Sequence, residues 1–93
     1  MLTYEDCLAM TDLTEEEVEA IAEHEHCNVM AALEKGHYLV EAPDGTVRIR
    51  RMILDDIAMA QVRGNSERVA VLQSVLRRFC NKYPDCLTDD ACD

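Results

Sequence analysis

The sequence predicts an all-α domain, a small bundle of four main helices plus a short N-terminal one. Three observations predict it. Aromatic residues are scarce (Phe79, Tyr4, Tyr38, Tyr83 and no Trp), so the core must be assembled from Leu, Ile, Val, Met and Ala, which suits helices better than a β-sandwich. Apolar residues recur at helical spacing through most of the chain. Cap residues stand ahead of several of those runs. Ninety-three residues allow one domain, and 48% hydrophobic against 30% charged residues excludes a chain that is disordered throughout.

Thr3 can cap a first helix from Tyr4 to about Met10. The second start is the clearest local signal. Thr14 as N-cap and Glu17 three residues later form a capping box, and Leu13 with Val18 form the hydrophobic staple across it. Glu15, Glu16 and Glu17 also favour the positive end of the helix dipole. This helix is expected to reach His26, where Asn28 caps a third helix running to Val40. Ala42-Pro43-Asp44-Gly45 is a turn. Thr46 is then expected to cap a fourth helix to Arg63, with a hairpin of Tyr38–Glu41 and Val47–Arg50 as the rival. Gly64-Asn65-Ser66 ends that helix and caps the last, from Glu67 to Tyr83. Pro84 stops it, so residues 1–84 form the domain and residues 85–93 read as an acidic, disordered tail.

Helical phase selects the buried faces. In the last helix Val69, Leu72, Leu76, Phe79, Cys80 and Tyr83 make one stripe, leaving Val71 and Val75 opposite it. In the third, Val29, Ala32, Leu33, Gly36 and Val40 do so, and the mid-stripe glycine suggests close approach of another helix. Two stripes contain an acidic intruder. Glu25 falls among Val18, Ile21 and Ala22, and Asp56 among Ile49, Met52, Ile53, Ile57 and Ala60. A carboxylate facing a core must be paired, protonated or metal-bound. Arg48, Arg50, Arg51 and Arg63 are the expected partners.

The net charge of −10 argues against casual binding to nucleic acid or an anionic membrane. It conceals a division, because residues 1–34 hold ten acidic and no Lys or Arg residues, whereas residues 47–83 hold eight basic and three acidic ones. The two halves are expected to neutralise each other, within one molecule or across a dimer. Five cysteines is an odd number with no CxxC spacing, and the N-terminal residues lack signal-peptide character, so reduced thiols and a cytoplasmic location are expected. No apolar run reaches the length of a membrane span.

Residues 23–27, Glu-His-Glu-His-Cys, are the most chemical stretch. Glu-x-x-His occurs at Glu23–His26 and again at Glu34–His37, a spacing that di-iron bundles use to set two ligands on one helical face. Glu23, Glu25, His26, His37 and Asp56 are therefore the candidate ligands for iron or zinc, provided that the chain breaks near Asn28. A zinc site of His24, His26 and Cys27 alone would be too cramped. Cys27 and His26, as helix neighbours, do not face each other, and no phosphate loop or nucleophile elbow occurs, so no catalytic residue is assigned. The segment 13–26, with Met52-Ile53-Leu54-Asp55-Asp56-Ile57, resembles a family of small helical bacterial proteins. That resemblance covers most of residues 1–84, implies a cytosolic helical chain and supplies no activity. The reading is a non-catalytic interaction or regulatory module that forms a homodimer, with metal binding as the alternative.

Overall fold

The computed structural model describes residues 2–87. Five helices follow in order: α1 Tyr4–Ala9, α2 Glu15–Glu25, α3 Val29–Glu41, α4 Gly45–Val62 and α5 Ser66–Lys82. No strand occurs among the described residues. Two starts are closed by complete capping boxes, Thr3 with Asp6 and Thr14 with Glu17. Asn28 and Asn65 cap α3 and α5 through their side-chain oxygens. Each box satisfies backbone donors that a helix N-terminus leaves orphaned.

The start of α4 differs from expectation. Asp44 takes a left-handed conformation (φ 61°) and the helix begins at Gly45, so Thr46 lies inside the first turn and is not the cap. Space dictates this. A Cβ on Gly45 would stand 1.5 Å from the Leu39 carbonyl oxygen, so only glycine lets the turn fold so tightly onto the end of α3. At Gly36 the close approach is of side-chain tips rather than of a helix backbone, since a Cβ there would meet Leu13 Cδ1 at 2.8 Å and Ile21 Cδ1 of α2 at 3.0 Å.

α2 and α4 each pack against the other three main helices, while α1 rests on α3. Val18 and Ile21 of α2, Leu39 of α3, Ile49 and Ile53 of α4, and Leu72 and Phe79 of α5 are all but removed from water. Each such side chain stabilises the fold by roughly 1.5–3 kcal/mol. Val75 is also buried, at 2% exposure. It sits three residues after Leu72 and four before Phe79, at the spacing of one helical face, so it shares their buried side and not the opposite one that the sequence suggests. Val71 remains exposed. In α3 the stripe includes Leu39, whereas Val29 is exposed.

Beyond Pro84 a 3-10 turn over residues 84–87 carries Cys86 into the core at 0% exposure. The described residues run to 87, past the expected boundary at 84, and residues 88–93 of the expected tail lie outside them. Cys86 Sγ lies 3.2 Å from Cys80 Sγ, with no disulfide between them.

The acidic and basic halves do meet within the chain. Arg68 of α5 bonds Glu23 at 2.6 Å and Arg78 bonds Glu16 at 3.0 Å. The most buried of these pairs joins Lys82 Nζ to Glu17 Oε1 at 2.8 Å, with the Glu17 side chain 1% exposed. The same Oε1 accepts the Thr14 backbone N–H at 2.9 Å, so one oxygen serves both the capping box and an ion pair. Lys82 also donates to the Asp12 carbonyl.

Candidate functional site

The C-terminal end of α2 carries the chemical residues because the helix stops there abruptly. His26 closes α2 in a left-handed conformation (φ 55°), and Asn28 then starts α3. Histidine tolerates that backbone better than branched residues do. The break near Asn28 that a shared ligand set requires is therefore present.

At this end Ala22, Glu23, His24, His26, Asp55, Asp56, Met59 and Arg63 line a cavity of about 470 Å³ between α2 and α4. Asp56 forms its buried wall at 4% exposure, as its place in the apolar stripe of α4 predicts. Its Oδ2 takes no hydrogen bond among the described residues. Burial pushes the Asp56 carboxyl up to about 7, and the neighbouring Glu23 and Asp55 charges add to the rise, against His24 and Arg68.

Beside it runs a chain of ion pairs across three helices. His24 Nε2 meets Asp55 Oδ2 at 2.9 Å, and His24 Nδ1 meets Glu25 Oε2 at 2.8 Å. Glu25 Oε1 in turn accepts from Lys35 of α3. Protonated, the imidazole donates from both nitrogens. Burial works to lower the His24 pKa, but the hydrogen bonds to Glu25 and Asp55 outweigh it and hold the ring above its usual value. Lys35 first, and His24 second, hold Glu25 below the usual carboxylate range. Glu25 is thus half-buried and paired as expected, but with Lys35 and His24 instead of an arginine of α4. The short reach from Lys35, ten residues along on the neighbouring helix, decides this.

The five expected metal ligands are divided. Glu23, His26 and Asp56 share the cavity, with Glu23 held by Arg68. Glu25 is tied to Lys35 and faces an adjoining depression with Arg48 and Arg51. His37 lies elsewhere, beside α1. Among the described residues no group of three or more His, Cys, Asp or Glu side chains is placed to hold a metal. Asp55, Lys35, Arg68 and Met59 belong to this region and were not singled out from the sequence. The Asp55-Asp56 doublet was the available signal for one of them.

A second concavity was not foreseen at all. Leu2, Cys7, Met10, Thr11, Met30, Leu33, Glu34 and His37 enclose a groove of about 250 Å³ between α1 and α3. Its lining is largely apolar, and Leu2, Met10 and Met30 remain exposed along it.

Comparison with protein-family models, with curated proteins and with solved structures returned no match. No helix among the described residues is long and apolar enough to cross a membrane.

Proposed function

We propose that the chain is a non-catalytic interaction module that receives a basic amphipathic helix of a partner protein in the groove between α1 and α3. The observation that carries this reading is the composition of the groove. Methionines at 10 and 30 supply flexible, polarisable contacts of the kind that adapt to inserted side chains. Apolar anchors at helical spacing are what such a groove accepts. The surrounding charge selects the sign of the partner. Asp6 stands four residues from both Leu2 and Met10, Glu34 lines the groove, and residues 1–34 contain no Lys or Arg. No arginine of α4 or α5 lines the groove.

The test titrates the full chain with a labelled synthetic peptide of leucines and lysines at helical spacing. Saturable binding, weakened by salt and reduced at least tenfold, about 1.4 kcal/mol, by Met10→Asp combined with Met30→Asp, is expected. Equal affinity in that variant would overturn the reading. The alternative occupant is a second copy, whose basic helices would meet the acidic rim. Sedimentation at low and high salt decides this: a dimer that the same double substitution dissolves would give the groove to self-association.

A further inference from the structure

The cavity at the end of α2 is separate from that groove and poses a different chemical problem. Asp56 is a carboxylate 4% exposed with an oxygen that has no donor among the described residues. Two of the cations around it are committed to other carboxylates. From α2, His24 is shared between Glu25 and Asp55. From α5, Arg68 is bound to Glu23. Arg63 lines the cavity without reaching Asp56 Oδ2. Asp55 and Glu23 add negative charge on either side of the same space.

The Asp56, Asp55 and Glu23 carboxylates disfavour an anion, and among the described residues a metal ion finds no third ligand in position. What remains is a cation that needs one strong acceptor and an apolar wall. Ala22 and Met59 provide that wall. The geometry points to a site for a small organic cation, an alkylammonium whose head faces the Asp56 carboxylate at the cavity wall and whose hydrocarbon body lies against Ala22 and Met59. A site of a few hundred cubic ångströms with one placed polar group is typical of small-molecule recognition.

Binding at this site is linked to protons. Asp56 must be ionised to hold the ammonium, and its carboxyl titrates near 7. His24 loses its own positive charge as pH rises, which removes a direct repulsion on the ammonium. The affinity for an amine should therefore rise about tenfold between pH 6 and pH 8, as the ionised fraction goes from about one tenth to about nine tenths.

The experiment is a titration of the full chain with n-butylamine, followed by the NMR signals of Ala22 and Met59, with n-butanol as the neutral isostere. Saturable shifts with the amine alone, about tenfold tighter at pH 8 than at pH 6 and at least tenfold weaker in Asp56→Asn, are expected. A second variant, Ala22→Leu, fills the apolar wall and should abolish the shifts while the helical circular dichroism is kept. Absent or unsaturable shifts, equal affinity in Asp56→Asn, or equal response to butanol would overturn the proposal. Saturable zinc binding that displaces the amine would overturn it in favour of a metal site.

Discussion

Asp56→Asn should make the protein more stable at alkaline pH and remove a large part of its pH dependence. In the unfolded chain the carboxyl titrates near its usual 3.8, and in the fold near 7. Between those values the folded state binds more protons than the unfolded one, so stability falls as pH rises. The contribution is fully present below the unfolded value and is lost as pH passes through the folded one. The gap, at about 1.4 kcal/mol for each pH unit, corresponds to about 4 kcal/mol over the whole range. Between pH 5 and pH 8 the linkage relation leaves about 2.5 kcal/mol of that. Domains of this kind have about 5–15 kcal/mol in all, so the effect is large. His24, whose pKa is also raised, adds a loss of the same sign. Subtracting the Asp56→Asn curve from the wild type cancels most of that. Urea denaturation at pH 5, 6, 7 and 8 measures the difference. A difference that stays level across the range, or an asparagine variant that is less stable at pH 8, would refute the assignment of Asp56 as a buried, unpaired carboxylate.

Lys82→Met should cost about 2–4 kcal/mol by denaturant unfolding, because Glu17 would keep its burial and lose its counter-ion; adding Glu17→Gln should restore much of the loss. Gly45→Ala should leave the chain largely unfolded by circular dichroism, since the added carbon meets a backbone carbonyl. Gly36→Ala should be nearly neutral, because its clashes are with the side-chain tips of Leu13 and Ile21 and are offset by about 1 kcal/mol of helix propensity. Thr14→Ala should lower stability by about 1 kcal/mol, the ordinary loss of an N-cap, and no change would show that the observed capping box contributes nothing.

Local chemistry made the helix starts legible. Thr14 with Glu17, and Asn28, act through atoms three residues away, so no tertiary information is needed to place them. The start of α4 was not legible, because Gly45 is required by the Leu39 carbonyl rather than by its sequence neighbours. Asp56 could be placed in the core by phase alone, and the burial of Val75 shows how narrow that margin is. Partners were harder. Arginines on α4 were the nearest in sequence to Asp56, yet the cations that influence it are His24 and Arg68, contributed by other helices. The groove between α1 and α3 left no trace in either helix, since its walls become one surface only when the two helices pack.

The double use of Glu17 has a consequence for the order in which the chain assembles. Neighbouring helices pack sequentially through α2, α3, α4 and α5, a topology of short loops that folds rapidly. The capping box at Thr14 can form as soon as α2 emerges during synthesis. Its glutamate, however, receives Lys82 from 65 residues further along. Until then α2 carries a charged N-terminus that cannot be buried and an apolar flank without α5. During synthesis residues 66–87 therefore dock only after α2, α3 and α4 have emerged. A nascent chain halted after α4 should hold native-like helices while still exposing the surface that α5 covers.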